Sequence, residues 1–384
     1  MSVRILITGD FCPSYSYNSY PSEKIDPENV FSDFLPEIEN SDISIVNLEC
    51  PLTDSMTTID KCGPNLKAGP FWADLLNDSG FNVATLANNH IMDYGKQGLE
   101  ETLRECSRVR LSTVGAGVNL KNASETFYKE ISGTRLAIIN FAENEFASAE
   151  LDKAGSHPMD IVKNSRKIRD AKNKSDYVIV IIHGGSEHCN YPSPRIVEQY
   201  RFYADMGADV IVAHHTHCVG GVEIYNNVPI IYGLGNFFFP RKVEFKDWAI
   251  GYAVRFYLNK NRKMIDFDII PYCQSKEDEI IKLLHGQERQ DIINKALSIG
   301  SNIQSGNYIQ EWNNFAESRK LSYLYSQTSI PRFIGSIFSR LNLLKLLIYA
   351  NQRMRMKQNH CSCESHRDVL LYSYKRLFDK NGQL

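Results

Sequence analysis

No stretch of the sequence reaches the roughly 18 uninterrupted apolar residues that a membrane-spanning helix needs. The first residues, MSVRILITGD, lack an apolar core followed by a small-residue cleavage site, so we do not expect them to act as a signal peptide. We therefore expect a cytoplasmic protein without a membrane-spanning helix.

An excess of charge of one sign is also absent. The 43 Lys and Arg residues nearly balance the 45 Asp and Glu residues, which gives a formal net charge of −2. This balance offers no electrostatic reason to expect binding to nucleic acid or to an anionic membrane. The chain has neither internal repeats nor low-complexity tracts, and its 384 residues suit one large domain, or one domain with an appendage.

The cysteines do not form the pattern of a disulfide framework. Their number is odd, and they are scattered through apparent core strands: Cys12, Cys50, Cys62, Cys106, Cys189, Cys218, Cys273, Cys361 and Cys363. This distribution favours a reducing compartment.

What the sequence does contain is an alternation of short apolar runs with amphipathic segments. The runs, which are too short for most helices, are 4–10, 42–49, 82–90, 135–144, 177–185 and 209–217. The amphipathic segments between them are 30–41, 70–80, 98–109, 164–175 and 194–207. Such alternation predicts an α/β fold in which helices cover the sheets.

The pattern changes twice further along the chain. After residue 217, short strands and a turn at Asn226 and Asn227 indicate β-hairpins. From residue 276 to residue 300 the apolar spacing is helical, and helices continue toward the end. We therefore predict a first domain over 1–274 and a helical C-terminal extension over 275–384.

Polar residues stand at the carboxyl ends of the predicted strands, where ligands collect in α/β sheets. They are Asp10, Glu49, Asn88, Asn89, His90, His183, Glu187, His215 and His217. Each of them alone has a structural explanation, since an aspartate after a strand is usually a turn residue. Their coincidence at five strand ends favours a metal site.

The donor types narrow the choice of metal. Carboxylates, an amide oxygen and imidazoles favour Mn, Fe or Zn over Ca²⁺ or a thiolate zinc site. A bridging carboxylate holds two such ions about 3.5–4 Å apart, where they acidify water and neutralise charge on a phosphoryl group. We therefore expect one or two divalent metal ions. His214 should point away from them by strand alternation and either have a structural role or support the ligands from behind.

Several ordered segments resemble the CapA family of capsule and poly-γ-glutamate biosynthesis proteins, a branch of the calcineurin-like metallophosphoesterase superfamily. The segments are TGDF, VNLECPLT, ANNHIMDYGKQGLEETL, GAGVNLKNA, HGGSE, AHHTHCVGGVEIY and IYGLGNFFF. The resemblance covers about residues 3–272. It implies a metallophosphoesterase-like four-layer α/β/β/α sandwich, to which the predicted C-terminal helices would be an appendage.

The resemblance also implies roles for individual residues. The implied metal ligands, with Glu49 bridging two ions, are Asp10, Glu49, Asn89, His183, His215 and His217. His90 would protonate the leaving group or stabilise the transition state, and Asp93 would orient His90. Glu187 matches the acid of the family's H-x-G-x-E motif and is expected to serve the site.

The sequence departs from the family pattern at three positions. Cys12 stands where the wider superfamily has a histidine, and it is either a soft ligand or a small buried residue. Gly184 stands where the family commonly has tryptophan, which would remove an aromatic wall from the pocket. Ala213 replaces a usual glycine before the final histidines.

Two further residues are candidates for binding the substrate. Lys67 falls where the family tends to have a basic residue, and it would bind an anionic group or else remain a solvated loop lysine. Asn88 lies within the ANNH segment beside the implied ligand Asn89.

Two C-terminal segments lie outside the resemblance. Residues 331–357 carry six Lys and Arg residues and no acid, with apolar residues at helical spacing. They predict either a peripheral contact with an anionic membrane or a biosynthetic complex, or a helix that packs on the first domain. The HCSCESH segment, 360–366, lacks the two-residue gap of structural zinc sites and is interpreted as a polar linker.

The expected function is that of a metal-dependent, phosphoesterase-like hydrolase of the CapA type. It would act on an anionic small molecule or polymer during synthesis of a surface polysaccharide or capsule polymer. One alternative is a non-hydrolytic capsule assembly protein that binds a glycan or polyglutamate. Another is an amide-bond-forming capsule enzyme with ATP or a phosphorylated donor, although no Walker-type glycine-rich loop is visible.

Overall fold

The apolar runs of the sequence form strands, and the amphipathic segments between them form helices. The computed structural model describes residues 2–15, 25–241, 245–259, 265–274, 279–326, 353–362, 366 and 369–370. The strands are β1 (Val3–Phe11), β2 (Ile43–Leu48), β3 (Val83–Thr85), β4 (Ser112–Val114), β5 (Ala116–Gly117), β6 (Phe127–Ile131), β7 (Thr134–Ala142), β8 (Gly155–Ser156), β9 (Tyr177–His183), β10 (Val210–His214), β11 (Val222–Tyr225), β12 (Val228–Ile231), β13 (Asn236–Phe238), β14 (Ile250–Leu258), β15 (Asp266–Gln274) and β16 (Ile281–Leu283). The α-helices are α1 (Glu28–Phe31), α2 (Leu35–Glu39), α3 (Trp72–Asp78), α4 (Gly95–Arg108), α5 (Leu120–Ala123), α6 (Ile161–Lys172), α7 (Pro194–Asp205), α8 (Gly286–Ser305), α9 (Tyr308–Ser326) and a helix over Arg353–Ser362.

The strands are arranged in two large sheets and one small one. The first large sheet has the order β16-β15-β14-β1-β2-β3-β4, and β13 also pairs with β1. Its strands β1 to β4 are parallel, whereas β14 to β16 are antiparallel. The second large sheet has the order β11-β12-β10-β9-β7-β6, and β5 pairs with β8 in the small sheet. Asp10 and His183 lie in the last two residues of β1 and β9, and Glu49 and His215 directly follow β2 and β10, so both large sheets deliver donors at their carboxyl ends.

The two large sheets pack face to face, and helices cover their outer faces. Between the sheets, aliphatic side chains from both form one core, including Ile7 of β1 and Ile181 of β9. On the outer face of the first sheet, Trp72 of α3 joins a second core, and on that of the second sheet Tyr200 of α7 joins a third. The predicted four-layer α/β/β/α sandwich is therefore confirmed.

The hairpin predicted after residue 217 is also confirmed. Strands β11 and β12 are antiparallel, with Tyr225 opposite Val228. Asn226 and Asn227 between them both have positive φ, 49° and 67°. A two-residue turn with two positive φ values matches the right-handed twist of the strands, and asparagine tolerates that conformation.

The structure differs from the prediction between residues 276 and 300. Residues Ile281–Leu283 form β16, an antiparallel neighbour of β15, and α8 begins only at Gly286. The helical prediction was wrong at β16 because Ile281 is buried while Lys282 is exposed, an alternation that is too short to recognise beside a longer helix.

The chain divides into two compact units, Met1–Trp312 and Asn313–Leu384. The sequence-based boundary at 274/275 falls inside the first unit. The reason is that α8 contributes buried side chains to the cores of that unit, among them Ala296, Ile299 and Ile303.

The structure describes only the end of the basic segment 331–357. Residues 331–352 lie outside the described residues, and residues 353–357 begin the helix Arg353–Ser362. Within the part of the chain that the structure describes, every helix is too short or too polar to cross a membrane.

Candidate metal centre

The acidic donors come from the first sheet, at the ends of two parallel neighbours. Asp10 lies near the end of β1, and Glu49 directly follows β2. The Asp10 carboxylate accepts hydrogen bonds from Nδ2 of Asn47 at 2.7 Å and from the backbone N–H of His215 at 3.1 Å. Both acids are almost completely buried. The parallel pairing therefore places two carboxylates at one sheet edge, as predicted from the strand ends.

The glycine before Asp10 is required by a close backbone approach. Strand β13 takes over as the partner of β1 at this point, pairing Asn236 with Asp10. A Cβ atom on Gly9 would lie 2.1 Å from the carbonyl oxygen of Gly235. Any other residue would push these two segments apart and displace Asp10.

The imidazole donors come from the second sheet. Strand β9 ends at His183, which pairs with His214 of β10. His214 is buried and Nε2 of its ring lies 2.9 Å from the carbonyl oxygen of Thr8, so it has the predicted structural role. Beyond β10 the backbone has positive φ values of 89° at His215 and 53° at His217. Such conformations cost of order 1–3 kcal/mol each and cluster at functional sites.

Five of these side chains form two groups that share one acid. The first group is Glu49, His183 and His215, and the second is Asp10, Glu49 and His217. Within each group the potential ligand atoms all lie within 4.8 Å of one another. The Oε1 atom of Glu49 is 3.5 Å from Nε2 of His183 and 3.8 Å from Nε2 of His217. Glu49 is therefore the one acid that both groups share.

Asn89 joins the first group, whereas Asn88 does not. Around Nε2 of His183 lie Oδ1 of Asn89 at 3.1 Å, Nδ1 of His215 at 3.1 Å and Oε1 of Glu49 at 3.5 Å. Because a neutral imidazole nitrogen carries at most one hydrogen, it cannot satisfy all three neighbours, and a cation among them could.

Asn88 instead holds the turn after β3. Its side chain donates to the carbonyl oxygen of Leu48 at 2.8 Å and accepts from the backbone N–H groups of His90 and Ile91. It is fully buried. This use of both ends of the amide gives Asn88 a structural role, and its binding of substrate stays a prediction.

The protonation states of the ligand groups suit a cation. Burial raises the pKa of Glu49 well above its usual range, and the nearby Asp10 carboxylate adds to this. Neither oxygen of Glu49 has a hydrogen-bond partner among the described residues. A buried carboxylate without partners is costly unless a cation neutralises it. The donor set around Glu49 therefore fits a divalent metal ion.

The other donors are held in the forms that bind metals. Burial opposes ionisation of Asp10, but the His217 imidazole, with His214 and His183, holds its pKa well below the usual range. Burial lowers the pKa of His183 well below its usual range and lowers that of His215 as well. Neutral imidazoles and an ionised carboxylate are the forms that coordinate a metal.

Beside this cluster, His90 belongs to a second buried network. Its Nδ1 atom lies 2.6 Å from Oδ2 of Asp93, and Asp93 forms an ion pair with Lys61 through its other oxygen. The Nζ atom of Lys61 lies 3.2 Å from Nδ1 of His90. Since a carboxylate only accepts, the Nδ1–H of His90 donates to Asp93. Burial lowers the pKa of His90, and Lys61 adds to that effect against the opposing Asp93 carboxylate.

With this geometry established, sequence comparison identifies the family. The profile of the family described as "Bacterial capsule synthesis protein PGA_cap" matches residues 4–241, more than half of the chain. The chain belongs to this family. The matched range contains every residue of the two ligand groups and of the His90 network.

Several proteins resemble the chain. The "Capsule biosynthesis protein CapA" of Bacillus anthracis is 34% identical over 252 residues, which cover 63% of this chain and 60% of that protein. The "PGA biosynthesis protein CapA" of Bacillus subtilis is 33% identical over 246 residues, which cover 62% of this chain and 64% of that protein. The chain thus spans less than two thirds of the length of either relative. A "Probable polyglutamine synthesis accessory protein" of Mycobacterium tuberculosis is 27% identical over 217 residues, covering 53% of this chain and 57% of that protein.

Two solved structures are similar to the chain at lower identity. A phosphatase of Mycoplasma pneumoniae is 14% identical with a TM-score of 0.46, covering 76% of this chain and 97% of its own. A 5'-nucleotidase precursor of Thermus thermophilus is 10% identical with a TM-score of 0.45, covering 77% of this chain and 58% of its own.

Glu187 lies close to the candidate ligands His215 and His217. Its side chain is exposed. The part of its carboxylate that is shielded from solvent favours a higher pKa. The imidazoles of His215, His217 and His188 outweigh that effect and lower the pKa of Glu187. Glu187 is therefore an ionised acid near the ligand histidines, and its predicted service to the site stays a prediction.

Cys12 behaves as a buried packing residue. It is fully buried, and among the described residues the potential ligand groups do not include it. Burial raises the pKa of its thiol well above the usual range, with a further contribution from the neighbouring Cys50. Of the two expectations for Cys12, the geometry favours the small buried residue.

The space beside Gly184 is occupied by an acid of the neighbouring strand. A Cβ atom on Gly184 would lie 2.7 Å from Cγ of Glu143. Glu143 accepts hydrogen bonds from the backbone N–H of Gly185 at 2.9 Å and from Arg195 at 2.6 Å. An aromatic contact to the site comes instead from Trp248, whose ring centroid is 4.8 Å from that of His217.

Lys67 does not join the site. Its ammonium donates to the carbonyl oxygen of Ser55 at 2.6 Å and lies 4.9 Å from the ring centroid of Tyr94. These contacts hold the loop before α3 and favour the expected alternative of a loop lysine, while the role of Lys67 in substrate binding stays a prediction. The lysine that reaches His90 is Lys61.

Three residues near the site were not predicted as functional: Lys61, Asn47 and Asn236. Asn47 contacts both Asp10 and His183, and Asn236 contacts His217. Asn47 and Asn236 lie within the quoted segments VNLECPLT and IYGLGNFFF, so a signal existed for them. Lys61 lies in an irregular loop where no periodicity marks the direction of its side chain.

Proposed function

We propose that this chain is a metal-dependent hydrolase that cleaves a phosphoester or a related bond of an anionic molecule during capsule polymer synthesis. The proposal depends chiefly on the environment of Glu49. Both of its oxygens are buried without a hydrogen-bond partner among the described residues, and it belongs to both ligand groups. Capsule synthesis is the setting named by the family.

The donors would hold one or two ions of Mn, Fe or Zn, since mixed oxygen and nitrogen ligands suit these metals. Asp10, Glu49 and His217 would hold one ion, and Glu49, His183 and His215, with Asn89, the other. When bound, such ions supply charge neutralisation at a phosphoryl group and acidify water.

His90 would donate a proton to the leaving group. Its Nδ1–H is committed to Asp93, so Nε2 is the nitrogen that would act on the substrate. A proton held at Nε2 passes to the leaving-group oxygen, while Asp93 stabilises the imidazolium before the transfer. Lys61 balances the charge of Asp93 throughout.

The test combines metal content with turnover on a defined probe. Elemental analysis and Mn²⁺ titration of the full chain should give one or two ions, and the loaded protein should hydrolyse bis(p-nitrophenyl) phosphate. Both His217→Ala and Asn89→Ala should lower metal binding and turnover. His285→Ala, a change at an exposed histidine, is the control. Full activity in either site variant would defeat the assignment.

A second candidate is a protein that binds a capsule polymer without hydrolysing it. The name of the Mycobacterium tuberculosis relative, which includes "accessory protein", favours this candidate. It predicts that the folded, metal-loaded chain binds polyglutamate and leaves every phosphoester probe intact. Measured turnover that disappears with Asn89→Ala would exclude it.

A further inference from the structure

Helix α8 lies beyond residues 4–241, where the family profile matches, yet it is packed into the same unit as the site. Ala296 and Ile299 of this helix are buried in the cores on either side of the second sheet. One polar residue of α8, Lys295, faces the 3₁₀ turn Lys246–Ala249, whose Trp248 packs beside the ring of His217. Its contacts form a continuous series that ends at the metal centre.

The first contact joins α8 to the turn Lys246–Ala249. The Nζ atom of Lys295 donates to Oδ2 of Asp247 at 2.6 Å. The same oxygen accepts from Nδ2 of Asn190 at 3.1 Å, and that amide also donates to the carbonyl oxygen of Val219 at 2.7 Å. Asp247 is thereby tied both to α8 and to the segment directly after His217.

The second contact joins that turn to Asn236. Trp248, the residue after Asp247, accepts at its carbonyl oxygen from Nδ2 of Asn236 at 3.0 Å and from Nε2 of Gln274 at 2.8 Å. Its indole N–H donates to the carbonyl oxygen of Phe239 at 2.9 Å. These bonds fix the position of the carbonyl group that Asn236 meets.

The third contact decides which nitrogen of His217 is available. Because a carbonyl oxygen only accepts, the NH₂ group of Asn236 must face Trp248, and its Oδ1 atom must face His217. That oxygen lies 2.9 Å from Nδ1 of His217, so Nδ1 carries the hydrogen. The lone pair is then on Nε2, which lies 3.8 Å from Oε1 of Glu49.

We propose that α8 is a brace of the metal centre: Lys295, acting through Asp247 and Trp248, holds Asn236 and thereby the orientation and tautomer of His217. The proposal rests on the proposed function, because it takes His217 as a metal ligand. Lys295 and Asn236 are positioning residues. Partners of this kind orient a histidine ligand, and their loss commonly weakens metal binding by about 10–100-fold.

The test compares two lysine–aspartate pairs in the full chain. Lys295→Met removes the brace, and Lys172→Met removes a matched pair with Asp209, which has the same 2.6 Å separation. The lysine and aspartate side chains are 34% and 24% exposed in the first pair and 39% and 22% in the second. Calorimetric titration with Mn²⁺ gives the Kd of each site, and melting in EDTA gives the stability without metal.

Lys295→Met should weaken one Mn²⁺ site by about tenfold. Lys172→Met should lower the melting temperature to a similar extent and leave both Kd values unchanged. Lys295→Arg should restore the wild-type Kd because it keeps the charged donor. An unchanged Kd in Lys295→Met would overturn the brace while leaving the proposed function intact. A wild-type chain that binds no Mn²⁺ would overturn the proposed function, and the brace with it.

A second pair of variants covers the case in which Lys295→Met does not fold. Asn236→Asp keeps an oxygen that accepts from His217 but loses the donor to Trp248, and Asn236→Leu loses both. We expect Mn²⁺ binding to weaken more in Asn236→Leu than in Asn236→Asp. Equal affinity in these two variants would contradict the role of Asn236 in fixing the tautomer.

Discussion

Two fully buried carboxylates, Asp93 and Glu49, differ in the partners that the chain supplies to them. Asp93 pairs with Lys61, accepts from His90 at 2.6 Å and accepts from the backbone N–H of Leu66 at 2.7 Å. Glu49 has no hydrogen-bond partner among the described residues, and burial raises its pKa well above the usual range. The two acids lie in the same buried region, so their difference is not a difference of solvent.

The contrast indicates what each acid is for. A buried charge is tolerated when the chain supplies an opposite charge and hydrogen bonds, and it is costly otherwise. Lys61 supplies the positive charge at Asp93, where the acid holds a histidine in place. Around Glu49 the described residues supply imidazoles, two of which burial keeps neutral. This arrangement supports the proposed metal ion, which would supply the positive charge at Glu49.

The largest effect should follow from removing the charge of Glu49. Glu49→Gln keeps the shape of the side chain but removes the shared ligand, so Mn²⁺ affinity should fall by at least about a hundredfold at both sites. In EDTA the same variant should be more stable than the wild type by about 1–3 kcal/mol, because a buried, unpartnered carboxylate is gone. Calorimetry and urea unfolding measure the two quantities.

The stability difference should also depend on pH. The pKa of Glu49 is raised in the folded state, so the unfolded state ionises first as the pH increases. Metal-free wild type therefore loses stability above the ordinary glutamate pKa of about 4.3, relative to Glu49→Gln. A difference that stays constant from pH 4 to pH 8 would show that Glu49 has a partner.

The next effect tests the protein cation at Asp93. Lys61→Met leaves Asp93 buried and without its cation, which makes it resemble Glu49. The free energy of unfolding should fall by about 3–5 kcal/mol, as expected when one member of a buried ion pair is lost. Adding Asp93→Asn should recover more than half of this loss, because the uncompensated charge is then removed. Equal stability of the single and double variants in urea would contradict the pairing.

The same contrast explains how much of the site could be predicted from the sequence. Asp10, Glu49, His183, His215 and His217 were found because each follows a recognisable apolar strand. The order of strands in a sheet brings their carboxyl ends together, so local patterns predicted this cluster of polar residues and an α/β fold, whereas the four-layer sandwich and the individual ligand roles were implied by the resemblance.

Lys61 and Lys295 could not be found in this way. Lys61 lies in an irregular loop, and the direction of its side chain depends on a turn that no periodicity specifies. Lys295 lies on an amphipathic helix, and the partner of its ammonium group, Asp247, is 48 residues away in the sequence. Ion pairs between distant segments are decided by tertiary packing, and residue type alone does not reveal them. Lys67 was a candidate because the family tends to have a basic residue at its position, and that resemblance gave no sign of Lys61.

The smallest effect should come from Lys67, and it completes the comparison of lysines. Its ammonium donates to the carbonyl oxygen of Ser55 and leaves no buried acid behind when removed. Lys67→Met should therefore lower the free energy of unfolding by only about 1 kcal/mol, the net value of a typical hydrogen bond. Mn²⁺ affinity should not change. If Lys67→Met instead weakened turnover on the phosphoester probe, the predicted role of Lys67 in substrate binding would be supported.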